Sequence, residues 1–261
     1  MKTGNTVIAF CLLLINCTTI VTGQTRSINS VIISSAPGVR KISLKGTWQF
    51  TAAISDLMPE SSAPEAVDAK AKEIVGNLAG KGTWSNVKVP QFLNRISWWL
   101  PDVSLEYEKQ EAERVSKLPA GTTTAQGGWY TKTITFSKSS SQKEVYVNFE
   151  GVALVCRVYC NGIYVGGHIG MFGSFKCRLT TYLKPGHNNL LVYVERGVRS
   201  KEGDKVISVA VSVPVTQKML LSVNKSMFDK MGPKYNVMGI WLPVTLQISE
   251  AGGHCRCILQ S

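Results

Sequence analysis

Long apolar runs, stretches of consecutive basic residues and paired cysteine clusters are all scarce in this chain of 261 residues. The one long apolar run is residues 7–21, and nothing downstream of it is suited to cross a membrane as a helix. Lysine and arginine outnumber aspartate and glutamate, 29 to 17, but they are scattered singly along the chain. Such scatter builds no phosphate track, so nucleic acid is disfavoured as a partner; the charge serves solubility, or a surface for anionic polysaccharide. The early apolar run follows Lys2 and ends in Val21-Thr22-Gly23, where small residues suit signal peptidase. Residues 1–23 are therefore expected to be an export signal, placing the mature chain in the periplasm or outside the cell. The competing reading anchors a lipoprotein through Cys17, but Asn16 is bulkier than the small residue usual before such a cysteine.

Removing that segment leaves five cysteines, an odd number that implies no complete disulfide framework. Cys156 and Cys160 sit four residues apart on one strand, roughly 13 Å at about 3.3 Å per residue, too far to bridge each other. Either could pair with Cys177 across a hairpin, or all three could pack as small hydrophobes. His254, Cys255 and Cys257 lie close together, yet a tetrahedral centre needs a fourth ligand and no second cluster offers one. No metal and no other cofactor is expected.

What the chain has in quantity is strand and turn. Val152, Leu154, Cys156, Val158 and Cys160 alternate, so a period of two puts them on one face. Asn161-Gly162 then reads as a type I′ turn, whose two central residues need positive φ, and Ile163 to Val165 returns as the partner strand. Phe175, Cys177 and Leu179 alternate again before a turn over residues 184–189 and a strand from Leu190 to Val194. Residues 42–50, 84–90, 128–136, 207–213 and 239–248 read as further strands, with Trp48 and Phe50 in the core. Ser62-Ala63-Pro64-Glu65 has the form of a capping box opening a helix. Its apolar stripe, Val67, Ala71, Ile74, Val75 and Leu78, is expected to cover one edge of the sheets, and Gly80 to end it. A second, polar helix is expected over residues 106–114, with its mixed charges as a solvated face. Neither an internal repeat nor an alternation of strands with helices is present. The expected fold is all-β: a jelly-roll-like antiparallel β-sandwich of galactose-binding-domain type over residues 40–249, with one or two inserted helices, a linker at 24–39 and an irregular tail at 250–261.

These elements fall in an order that resembles the amino-terminal sugar-binding domain of glycoside hydrolase family 2, the group of β-galactosidases, β-glucuronidases and β-mannosidases. The resemblance rests on residues 44–50, 84–90, Gly128-Trp129-Tyr130, Phe149-Glu150-Gly151-Val152, residues 158–162, Val165-Gly166-Gly167-His168, residues 183–191 and Gly239-Ile240-Trp241-Leu242-Pro243-Val244. The chain departs from the family in an insertion at 54–82 and in Leu242, where many members carry arginine. The resemblance implies carbohydrate as the partner. It also implies a separate (β/α)8 barrel carrying the two glutamates of a retaining mechanism. Such a barrel needs roughly 250 residues, so this sequence is expected to be noncatalytic by itself, a truncated or split piece that lacks its barrel partner. A freestanding carbohydrate-binding or surface-scaffold protein is the alternative. Glu106, Glu108, Glu111, Glu113, Glu150 and Glu195 make no recognisable substitute pair, and Glu150 reads as a strand-end contact.

Two places are candidates for meeting sugar. In the loop 166–174, four glycines permit close backbone approach while His168, Met171 and Phe172 offer a polar ring and apolar area, although His168 could equally only support the loop. Trp98 and Trp99, with Phe92 and Pro101 nearby, could present an aromatic face to the C–H patches of a sugar or be buried anchors.

Overall fold

The computed structural model describes residues 39–77, 83–94, 104–137, 143–196 and 238–250, together with the backbone of strands at 30–33, 198–202 and 205–209. Residues 1–23, Leu78, Gly80, Trp98, Trp99, residues 210–213 and the Cys/His tail lie outside the described residues. The strands in chain order are β1 (Ser30–Ile33), β2 (Arg40–Ser43), β3 (Gly46–Ala53), β4 (Ser85–Val89), β5 (Gly127–Phe136), β6 (Lys143–Phe149), β7 (Val152–Ala153) and β8 (Val155–Cys160). Then follow β9 (Ile163–Ile169), β10 (Phe175–Arg178), β11 (Gly186–Glu195), β12 (Val198–Glu202), β13 (Lys205–Val209), β14 (Gly239–Ile240) and β15 (Val244–Glu250). Two helices are described, α1 (Pro64–Gly76) and α2 (Leu105–Ser116).

A large sheet in the order β4-β3-β5-β11-β8-β9, with β1 alongside β5, faces a four-stranded sheet in the order β10-β6-β15-β2. Apart from the parallel β1–β5 pair, the ladders are antiparallel. The alternation in each strand decides the core: Trp48 and Phe50 from β3, Tyr130 and Ile134 from β5, Cys156, Val158 and Cys160 from β8, and Leu190, Val192 and Val194 from β11 meet Val145, Val147 and Phe149 from β6 and Val244, Leu246 and Ile248 from β15. This is the β-sandwich read from the sequence. Cys156, Cys160 and Cys177 are free thiols within it, and burial pushes Cys160 and Cys177 up to about 12, so they pack rather than react. Asn161 (φ 51°) and Gly162 (φ 81°) turn β8 into β9 as a type I′ hairpin requires.

Several local readings are corrected. Residues 42–50 form two strands in different sheets, because Gly46 at φ 116° redirects the chain between them. Residues 239–248 are likewise divided by Trp241-Leu242-Pro243. Leu154 leaves the face of Val152, Cys156 and Val158 and joins Ala153 and Met171 in a separate cluster. Pro64 does open α1, but Ala63 holds the cap position and makes no side-chain bond, while the Ser62 hydroxyl donates instead to Glu195 Oε2 at 2.8 Å. Moreover, α1 lies on the outer face of the large sheet, not at an edge: Val67, Ala71 and Ile74 pack on Trp129, Tyr159, Leu191 and Tyr193 from its three central strands. Those strands thus carry apolar residues on both faces. Asp68 of α1 adds a polar clamp, with Oδ1 accepting from Arg157 Nη2 and from the Tyr159 hydroxyl, each at 2.7 Å.

Candidate functional site

At one end of the sandwich three segments that are distant in sequence converge on Trp241. After β4 the chain runs beside β14, with Gln91 N–H donating to Ile240 O and Leu93 N–H to Met238 O, both at 2.8 Å. This places the Phe92 ring parallel to Trp241, centroids 5.2 Å apart and planes within 11°. The close approach depends on Gly239, at φ 141°, where an added Cβ would stand 2.5 Å from the Gln91 carbonyl oxygen. On the other side, Trp241 Nε1–H donates to Met171 O at 3.1 Å and so holds the loop after β9. Phe172, the next residue, sets its ring edge-on to Trp241 at 6.0 Å and 87°. Phe172 is 64% exposed, whereas Trp241 and Phe92 are half-buried. The result is an aromatic platform with one free ring at its rim.

Helix α2 braces the platform from below. Ser104 caps it, its hydroxyl oxygen accepting from Tyr107 N–H at 3.2 Å. The expected solvated face holds for Glu106 and Glu113 but not for Glu111, which is buried and ion-paired with Arg114. Arg114 also donates to the carbonyls of Phe92 and Asn94, both at 2.7 Å, and thereby pins the chain on either side of Leu93. Between α2 and this chain lies a cleft of about 420 Å³ lined by Gln91, Phe92, Tyr107, Gln110, Glu111 and Arg114. Aromatic rings beside amides and an ion pair are a lining suited to a polyhydroxylated ligand.

The residues predicted from sequence are brought together in part. Met171 is buried against Ala153 and Leu154 and offers only its backbone, so Phe172 supplies the apolar area of the loop. His168 stacks on Phe175 at 5.2 Å and 13°, and Phe175 stacks in turn on Phe149 at 5.0 Å and 10°. An added Cβ on Gly173 would stand 2.8 Å from His168 Nε2, so the ring fills the space beneath the loop. Trp98 and Trp99 lie outside the described residues. Trp241 was not singled out from sequence as a site residue, and Phe92 was named only as a neighbour of Trp98 and Trp99. The available signal was Trp-Leu-Pro at Trp241: proline interrupts the strand there, and a tryptophan at a strand break is free to face a ligand.

Burial between Phe175 and the glycine loop lowers the His168 pKa from its usual 6.5. Protonation is therefore easier in the unfolded chain, which binds more protons between the two values, and the stability contribution is complete above 6.5 and lost as pH falls through the lowered value. NMR titration should give a midpoint below 6.5 for this ring. Melting temperature should decline on acidification through that window, and less so in His168→Gln. A midpoint above 6.5 contradicts the packing described.

Neither Glu195 nor Glu150 lines the cleft. Glu195, fully buried, accepts from the Ser62 and Tyr193 hydroxyls. Glu150 is exposed at a strand end, its N–H donating to Pro243 O at 3.0 Å.

Comparison with known proteins agrees with the order of elements. The family model described as "Glycosyl hydrolases family 2, sugar binding domain" matches residues 105–246. A β-galactosidase of Thermoanaerobacter pseudethanolicus is 39% identical over 67 residues, 26% of this chain and 9% of that enzyme. A β-galactosidase of Priestia megaterium is 26% identical over 155 residues, 59% of this chain and 14% of the enzyme. Among solved structures, a β-glucuronidase from an uncultured Clostridium species aligns with 83% of this chain and 30% of its own, at 16% identity and a TM-score of 0.49. The matched region is thus a small part of each of these enzymes.

Proposed function

The chain belongs to glycosyl hydrolase family 2 through that family's sugar binding domain, and we propose that it is the exported, noncatalytic carbohydrate-binding and supporting domain of a longer family 2 enzyme. The observation that carries the reading is the aromatic platform of Phe92, Trp241 and Phe172, of which Trp241 and Phe172 lie within the region that matches the family. Sugar rings present C–H patches to aromatic faces, and the Gln91, Gln110 and Tyr107 side chains of the adjoining cleft can bond hydroxyls. The names of the relatives point to β-galactosides and β-glucuronides as the first sugars to test.

The noncatalytic role is supported by the state of the carboxylates. Retaining hydrolysis needs an acid and a nucleophile flanking the bond, whereas Glu111, the carboxylate lining the cleft beside Phe92, is neutralised by Arg114. Export is supported by the apolar run at 7–21 ending in Val21-Thr22-Gly23, and the longer enzyme by the lengths of the relatives.

The test is isothermal titration of the purified chain with methyl β-galactoside and methyl β-glucuronide, beside an assay on the corresponding 4-nitrophenyl glycosides. One of the methyl glycosides should bind, and no chromophore should be released above a heat-treated control. Phe172→Ala should weaken binding several-fold, in keeping with about 0.5–1.5 kcal/mol for one aromatic contact, without changing the melting temperature. Turnover would remove the noncatalytic role; unaltered affinity in Phe172→Ala would remove the platform.

A further inference from the structure

The outward face of the four-stranded sheet takes no part in the aromatic platform and has a pattern of its own. Because Val145, Val147, Phe149, Cys177, Val244, Leu246 and Ile248 point into the core, the alternate residues of β10, β6, β15 and β2 point outward. Strand register sorts these into two rows across the sheet. Arg178, Tyr146, Gln247 and Lys41 form one, and Lys176, Asn148, Thr245 and Ser43 form the other. At about 4.8 Å per strand step, the first row spans roughly 14 Å between its terminal cations.

Lys41, Lys176 and Arg178 are exposed. Lys176 Nζ stands 5.6 Å over the Tyr146 ring, and Glu144 accepts from Arg178 Nε and Nη2, both at 2.7 Å, which fixes the guanidinium plane at the rim. In and beside these rows, three cations face this one carboxylate, so the face is positive in a chain whose formal charge is +12.

We propose that this face is a second glycan surface, one that takes an extended anionic polysaccharide along the rows. A sheet face has no walls to enclose a small molecule, but it lets a long chain lie flat. Carboxylate or sulfate groups on that chain would pair with Lys41, Lys176 and Arg178 in charge-assisted bonds. Asn148, Gln247, Thr245 and Ser43 match sugar hydroxyls in donor and acceptor capacity, while Tyr146 supplies the ring for a C–H face. The charge complementarity would also speed capture of the polymer. The two surfaces are independent, and either can fail without the other.

The probe is polygalacturonate immobilised for biolayer interferometry at physiological ionic strength, with a neutral glucan as blank. Lys41→Ala/Lys176→Ala should weaken retention about fivefold, the size expected for losing two exposed ion pairs, and Tyr146→Ala should also weaken it. Lys72→Ala/Lys88→Ala removes the same charge from exposed positions on α1 and β4 and should leave retention within twofold of the parent. Melting temperatures report whether each variant is folded. Equal losses in the two double variants would mean that net charge alone acts and would overturn the proposal. So would absence of retention on polygalacturonate, or tighter retention on duplex DNA than on the polyuronate.

Discussion

Trp129→Ala lowers the unfolding free energy by about 3–5 kcal/mol, the range for removing a fully buried aromatic side chain. The indole has no solvent exposure. It lies between the large sheet and α1, tilted against Tyr193 at 4.6 Å and Tyr159 at 6.3 Å, and its Nε1–H donates to Leu57 O at 2.9 Å. Alanine removes the packing, leaves a cavity beneath the helix and strands the Leu57 carbonyl. Because the same residues seat Val67, Ala71 and Ile74, amide exchange in α1 should quicken well before that in β6 and β15. Trp129→Phe keeps much of the volume and loses the hydrogen bond, so it should cost about 1–2 kcal/mol. Urea denaturation followed by circular dichroism measures both. A loss under about 1 kcal/mol in the alanine variant would mean that the ring is not the seat of α1.

The second large effect is on binding. Trp241→Ala removes the ring that both stacks on Phe92 and bonds the Met171 carbonyl, so the platform and the loop after β9 come apart together. Binding of the methyl glycoside identified by titration should weaken about tenfold or more, as expected for an aromatic stack together with the order that it imposes. Trp241→Phe keeps a ring against Phe92 but frees the loop and should fall between parent and alanine. Stability should change less than in Trp129→Ala, because Trp241 is half-buried. Affinity that survives in both variants would place the sugar elsewhere.

The contrast between these two tryptophans shows what could be read from sequence. The strands were legible wherever alternation was local, as in residues 156–160 and 175–178, and the Asn161-Gly162 turn was legible because its positive φ values restrict the residue types. The stripe on α1 was also legible, but its destination was not: Trp129, Tyr159 and Tyr193 sit on strands already credited with an inward face, and only the assembled sheet shows that their outer face needs a cover. The site divides in the same way. Phe172 could be found from its glycine-rich loop, whereas Trp241 was absorbed into a strand that the structure breaks at that residue. Its partners, Phe92 and Met171, reach it through ladders formed by residues far apart in the chain. Glu111 illustrates the converse, since a charge run on a polar helix hides one buried carboxylate whose pair with Arg114 organises the cleft.

The central claim is that sugar meets the protein at Trp241. It is tested most directly by following the indole Nε1–H resonances, with that of Trp241 assigned by Trp241→Phe, during titration with the same two methyl glycosides. A saturable shift of the Trp241 signal, with the core indoles of Trp48 and Trp129 unmoved, is the predicted result. A Trp241 signal that stays in place while calorimetry records binding would contradict it.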